Sequence, residues 1–311
     1  MAKTPNGWTR REWMHLTAAG TMQAAAAMGV RAQAAAPAQL GVQLYTVREQ
    51  LKTDVKATLQ AIADIGYKEL ELLGVTDAGT LVPMAKGLGL TPVSAHIPAP
   101  LVTGNWDAWA DAARATPASD RTLAKTLDAA RSHGVKYVVV SYLQPAERGT
   151  KTADYEKFAD QLNRAGETAR AAGLTLGYHN HGFEFAPLGD GRRPIDVLLS
   201  RLDPALAKLE LDVFWVSITG ADPAEFLTAN KGRIALVHLK DKAKGAPRET
   251  DERKVAKPTF TEVGHGALDF PAILKAAQTA GVEHYFVEQD QTPGDPVTSL
   301  RQSYEYLHKL A

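Results

Sequence analysis

Residues 37–311 predict a single eight-stranded (β/α)8 barrel, because eight short apolar runs alternate with amphipathic helical stretches and no long structureless break separates them. The helical stretches add a second mark. "DVKATLQAIADIG" and "FPAILKAAQTAG" carry apolar residues three and four apart and close on Gly66 and Gly281, as helix C-caps do. The strand candidates, in order, are "LGVQLYT" (40–46), "YKELELL" (67–73), "LTPVSAHI" (90–97), "KYVVVSYL" (136–143), "LTLGYHNH" (174–181), "AKLELDVFW" (207–215), "RIALVHLK" (233–240) and "HYFVEQD" (284–290). Among the helices between them are "SDRTLAKTLDAARSHG" and "DYEKFADQLNRAGETARAAG". A doubly wound open sheet is the alternative, weakened because no Gly-rich phosphate turn follows the first run. The most irregular connections follow the third and seventh runs, at the strand ends where barrel enzymes build their sites.

The chain has 311 residues, 45% of them hydrophobic, enough to bury a large core in one barrel domain. Lys and Arg number 35, as do Asp and Glu, so no basic excess points to nucleic acid or an anionic membrane. A small molecule is the expected partner. Residues 1–36 read as a twin-arginine signal peptide: Arg10 and Arg11 precede the alanine-rich "TAAGTMQAAAAMGV", and Ala32-Gln33-Ala34 and Ala34-Ala35-Ala36 have the small-x-small form of a cleavage site. That run is too short and alanine-rich for a membrane span, so a periplasmic mature protein without one is expected. The absence of cysteine excludes disulfides, thiolate zinc sites and a thiol nucleophile.

Polar residues at strand ends point into a barrel mouth. Gln43 and Tyr45 end the first run, Glu69 and Glu71 lie on the second, and His96 ends the third. His179 and His181, Glu210 and Asp212, His238 and Lys240, and Glu288 and Asp290 follow on the last four. Strand side chains alternate, so each such pair shares a face. His179, Asp212, His238 and Glu288 supply two imidazoles and two carboxylates, a donor set for a divalent cation such as Mn, Mg, Co or Zn. Asp212 lies within "LELDVFW", so apolar a run that a buried carboxylate there needs a partner.

"GVQLYTVRE", "YHNHGFEF", "LELDVFW", "RIALVHLKD", "EVGHGALDF" and "YFVEQD" together resemble the sugar phosphate isomerase/epimerase group of the xylose isomerase-like barrels, over nearly the whole length from residue 40. The resemblance implies a metal held from the fifth to eighth strands, at Asp212, His238 and Glu288. On the fifth strand this sequence departs. The epimerase pattern resembles Phe-Glu-x-His, where this chain has Tyr178-His179-Asn180-His181. His179 replaces the glutamate as the preferred ligand, Glu184 is the alternative from the loop, and His181 matches the histidine on the substrate side.

In those epimerases the resemblance implies two glutamates that pass a proton on and off the carbon beside a carbonyl. Replacing one by His179 breaks the pair. A single base with a separate acid suits β-elimination, and Tyr-His-x-His also resembles the inosose dehydratases of the same superfamily. His181 or Lys240 is then the acid and Glu288 or Glu184 the base. The expected substrate is a non-phosphorylated keto sugar or keto-cyclitol, for example a 3-keto-glycoside, supplied by a sugar oxidoreductase. Export and the lack of a phosphate cradle both speak against a phosphorylated one.

Gln43, Tyr45, Arg48, Glu71, His96, Phe183 and Trp215 are the candidate substrate-binding residues, with Arg48 and Lys240 as fixed donors for hydroxyl groups. "EVGHGALDF" reads as a turn into the seventh helix, with His265 or Glu262 as a further contact. A plain sugar isomerase or epimerase, and a non-catalytic periplasmic sugar-binding or accessory protein, are the competing readings. A metal nuclease is disfavoured by the neutral charge.

Overall fold

The computed structural model describes residues 37, 39–75 and 78–310. The twin-arginine segment lies outside the described residues, and among these no helix is long and apolar enough to cross a membrane. Eight parallel strands close into one barrel: β1 (Gly41–Gln43), β2 (Glu69–Leu72), β3 (Thr91–Ile97), β4 (Tyr137–Val140), β5 (Thr175–His179), β6 (Ala207–Asp212), β7 (Ile234–Leu239) and β8 (His284–Val287). β8 pairs with β1 through Gly41 opposite Phe286, which shuts the ring. The eight expected runs are therefore all strands, joined by helices on the outside.

The helix boundaries follow from capping chemistry. Helix Val55–Ile65 starts where the Asp54 side chain accepts the Ala57 N–H and ends at Gly66, whose φ of 120° suits glycine. Helix Phe270–Ala280 is built alike, with Asp269 at its start and Gly281 at its end. The last helix, Pro296–His308, lies against helix Val55–Ile65, and just past the end of the latter the Tyr67 and Tyr304 rings meet edge to face at 5.0 Å.

Three expected strands change character near their ends. The first stops at Gln43, whose side chain accepts the Tyr45 N–H and starts the short 3-10 turn Leu44–Val47. The sixth stops at Asp212, because its carboxylate accepts the N–H groups of Phe214 and Trp215 at 2.8 and 3.1 Å and starts helix Val213–Ile218. "VFW" is thus helical rather than extended. After β7, Asp241–Lys242 pairs antiparallel with Phe260–Thr261 in a two-stranded ribbon that anchors the long loop.

The "EVGHGALD" turn is explained by one side chain. The Asp241 carboxylate accepts hydrogen bonds from the backbone N–H groups of Lys242, Gly264, Gly266, Ala267 and Leu268. A Cβ on Gly266 would lie 2.3 Å from Asp241 Oδ1, so a side chain there would break the cradle. His265 is exposed, and Glu262 is occupied by Ser299 and Thr261. Neither faces the barrel mouth.

Inside the barrel, Gly41 and Gly177 leave room for larger neighbours. A Cβ on Gly41 would meet the Phe286 ring at 2.4 Å. Phe286, Tyr137, Val139, Val93 and Ala235 form the lower interior plug. Below it lie Glu69 and His284, and above it the polar residues begin.

Candidate active site

Strand register stacks the polar layer above the plug. Gln43 pairs with Glu71, His179 with Glu210, and Asp212 with His238. Glu71, Glu210, Asp212, His238 and Lys240 are all buried, at no more than 1% exposure. Burying that many charged groups is tolerable only if each is paired or bound to a metal.

Two carboxylates lie deepest. Glu71 Oε1 accepts from Gln43 Nε2 at 2.7 Å and His238 Nε2 at 2.7 Å, and lies 2.9 Å from His96 Nε2. Glu210 Oε2 receives His179 Nδ1 at 2.9 Å and His96 Nε2 at 3.1 Å, with His238 Nε2 3.3 Å away. Meanwhile Glu71 Oε2 and Glu210 Oε1 have no hydrogen-bond partner among the described residues.

Toward the mouth the pattern changes. His238 Nδ1 lies 2.9 Å from Glu288 Oε2, and His179 Nε2 lies 3.8 Å from Asp212 Oδ2. The Lys240 ammonium is caged by Asp212 at 2.9 Å, Glu288 at 2.8 Å and Asp290 at 2.7 Å. Burial would lower the Lys240 pKa, but these carboxylates outweigh it and raise it well above the usual lysine value. His181 behaves oppositely: burial first, and then the Lys240 charge, lower it well below an ordinary histidine. Its Nδ1 has no hydrogen-bond partner among the described residues. Lys240 and His181 are thus held in opposite protonation states on one wall.

Both residues open onto a cavity of about 720 Å³. Tyr45, Arg48, His96, Trp215, Glu288 and Asp290 also line it, together with His179. Arg48 stacks on the Tyr45 ring at 4.0 Å and donates to the Asp290 carbonyl, which fixes the rim. Trp215 flanks His181 with ring centroids 5.4 Å apart. Gln43 and Glu71 lie beneath the histidines rather than on the cavity wall.

Two expected residues point elsewhere. Glu184, the alternative base or loop ligand, instead accepts from Tyr178 OH at 2.6 Å through Oε1 and from the His181 N–H at 2.9 Å through Oε2. Tyr178 faces outward, packed on Phe158, because it alternates with His179 along the strand. Glu184 therefore braces the loop from behind, and burial pushes its carboxyl up to about 7. Phe183 carries the Arg148 guanidinium 3.7 Å above its ring, outside the cavity lining.

Other cavity residues lie beyond the strands: Tyr142 in the expected fourth run but past its observed end at Val140, Trp109 at the end of a 3-10 turn, and Glu252 in the loop after β7. Arg148 binds Glu252 at 2.5 Å, and Tyr142 OH is bonded to both, so the loops after β4 and β7 are clamped together over the mouth. Glu210 was visible in the sequence as the inward partner of Asp212, two residues away, yet nothing there gave it a role.

Residues 59–310 match the family described as xylose isomerase-like TIM barrel. The chain belongs to that family. Among curated proteins it is 29% identical over 168 residues to an inosose dehydratase of Geobacillus thermodenitrificans, covering 50% of this chain and 54% of that protein. It thus spans about half the length of the curated relatives it matches. Among solved structures it is similar to a sugar phosphate isomerase/epimerase from Parabacteroides distasonis, at TM-score 0.71 and 24% identity, over 91% of this chain and 96% of that one. It is also similar to an IolI protein with a bound zinc atom, at TM-score 0.64 and 15% identity, over 87% and 98%. These likenesses agree on the barrel fold.

Among the described residues, two groups of side chains could hold a divalent ion: His96, His179, Glu210 and His238, and Asp212, His238 and Glu288. The four expected ligands are divided between them, with His238 common to both. The donor set fits a hard or borderline cation. Asp212, Glu288 and Asp290 share one ammonium, Lys240, while the buried Glu71 and Glu210 meet only Gln43 and histidines. One ligand atom from each of Asp212, His238 and Glu288 lies within 4.8 Å of the others, close enough to share one ion.

Proposed function

We propose that the chain is a divalent-metal-dependent enzyme that enolises a non-phosphorylated keto sugar or keto-cyclitol, with β-elimination or hydration favoured over simple epimerisation. The observation that carries this reading is an unlike set on one cavity wall: the Lys240 ammonium and the His181 imidazole stand beside Glu288, with His179 in place of the fifth-strand glutamate of the epimerase pattern. Exchange of one proton between like bases inverts a centre. An ammonium beside an imidazole instead suits protonation of a departing hydroxyl or alkoxide while a base takes the α-proton.

Asp212, His238 and Glu288, joined by His179, would hold the ion, which would polarise the substrate carbonyl and stabilise negative charge on its oxygen. Glu288 and His181 are the groups within the cavity that can accept the α-proton. Lys240, held between Asp212, Glu288 and Asp290, donates to the leaving oxygen. Arg48, Tyr45 and Trp215 bind and orient the sugar, and the clamped loops exclude water.

The cavity of about 720 Å³ has room for a glycoside as well as for a lone ring. Export by the twin-arginine route, read from residues 1–36, is part of this proposal, and a sugar oxidoreductase would supply the keto group. Cell fractionation tests the location.

The activity is tested by incubating metal-loaded protein with 3-keto-glucosides and free ketoses in deuterated water, followed by NMR. Loss of aglycone or water is expected. Deuterium uptake without such loss would show an epimerase or isomerase. Binding of sugar with neither would show an accessory protein.

A further inference from the structure

We infer that Glu71 and Glu210 are positioning residues, tied together by His96, that set which ring nitrogens of His238 and His179 face the ion. The inference rests on the reading above that the ion lies between Asp212 and Glu288. A carboxylate accepts hydrogen bonds and cannot donate them when ionised. The ring nitrogen beside Glu210, His179 Nδ1, therefore carries its hydrogen, and the lone pair is left on Nε2, the atom that faces Asp212 Oδ2 at 3.8 Å. His238 Nε2 likewise donates to Glu71 at 2.7 Å, which turns Nδ1 toward Glu288 at 2.9 Å, where an ion shared with that carboxylate would replace the hydrogen between them.

Metal-binding histidines usually need such an arrangement, because an acceptor behind the ring fixes its tautomer and orientation and raises its basicity. Here the two acceptors are not independent. His96 Nε2 lies 2.9 Å from Glu71 Oε1 and 3.1 Å from Glu210 Oε2, so one imidazole spans both. Gln43 secures the other side of Glu71 at 2.7 Å. The result is a belt of five side chains from β1, β2, β3, β6 and β7, reaching His179 on β5. The group of three histidines and Glu210 that could itself take an ion is, on this inference, the support for the ion's ligands.

The Lys240 ammonium does not compete with this assignment. It touches the same two oxygens, Asp212 Oδ2 and Glu288 Oε2, but each carboxylate oxygen has two lone pairs. One can serve the ammonium and the other the ion. Neither oxygen of the deeper carboxylates faces Lys240, so the belt and the ammonium act on the ligand set from opposite sides.

The test is equilibrium metal binding by the full chain, with Zn(II) and Co(II) titrated against a chromophoric chelator. Glu71→Gln and Glu210→Gln are each expected to weaken binding about 10–100-fold at unchanged stoichiometry of one ion, and to shift the Co(II) absorption bands. Thermal melting of the metal-free variants, and the milder Glu210→Asp, separate this effect from misfolding. Asp212→Asn and Glu288→Gln are the controls. If those controls lose the ion while Glu71→Gln and Glu210→Gln bind it with wild-type affinity and spectrum, the positioning role is overturned and the site stands. If instead Asp212→Asn and Glu288→Gln retain the ion and Glu210→Gln or His96→Ala abolishes it, the ion sits among the histidines, and the reading on which this inference rests is overturned.

Discussion

The two ends of the barrel interior use the same chemistry on the same strands, with opposite bookkeeping. β2 places Glu69 below and Glu71 above, and β8 places His284 below and continues to Glu288 above. At the lower end Glu69 meets His284 at 2.8 Å, Tyr137 donates to Glu283 at 2.9 Å, and the Phe286 plug separates the pair from the mouth. Each acid has its own partner. At the upper end three donors crowd onto Glu71 Oε1 while Oε2 has none, and three carboxylates share Lys240. A balanced acid–histidine pair is a structural joint, whereas an unbalanced cluster of acids is a place that lacks a cation.

The difference can be broken from either end. Lys240→Met should have the largest effect, a loss of roughly 10²–10⁴-fold in kcat, the range for removing a positioned acid or base. Steady-state kinetics would measure it. Metal content should persist, since Lys240 is not among the ligands, and loss of the ion with the activity would transfer Lys240 from proton donor to support of the site. Glu69→Gln should act the other way. Breaking a largely buried charged hydrogen bond costs about 1–3 kcal/mol of stability, read by denaturant unfolding, with metal affinity unchanged. A weakened metal site in that variant would show that the two ends are coupled through the plug.

The smallest effect concerns pH. Glu184 is pushed up by burial from 4.5 to about 7, so the folded protein holds a proton that the unfolded chain releases. Its contribution to stability is full below the unfolded value and is lost as pH rises through about 7. The melting temperature of wild type should therefore fall more steeply from pH 5 to 8 than that of Glu184→Gln. Equal slopes would mean that Glu184 is ionised in the folded state throughout.

Much of this arrangement was legible in the sequence because it depends on local periodicity. The eight strands, the caps at Gly66 and Gly281 and the inward pairs at i and i+2 all followed from spacing alone. The end of β6 was not legible, since "VFW" looks extended until the Asp212 side chain is seen to cap it. Glu184 misled for a similar reason: its distance along the chain from His179 is short, but the loop turns it back onto the outward face of β5. Partner counts could not be read at all. Whether Glu69 or Glu71 is the satisfied acid depends on register across β1, β2, β7 and β8, which joins residues more than 150 positions apart. The loop residues Tyr142, Arg148 and Glu252 met only through tertiary folding.

The contrast between the two ends is tested most directly by counting ions. Wild type, Glu69→Gln and Asp212→Asn would be loaded with zinc or manganese, freed of excess metal, and analysed by inductively coupled plasma mass spectrometry. One ion per chain is expected in wild type and in Glu69→Gln, and none in Asp212→Asn. A wild-type chain that retains no ion, or an Asp212→Asn chain that retains a full equivalent, would contradict the upper cluster as the metal site.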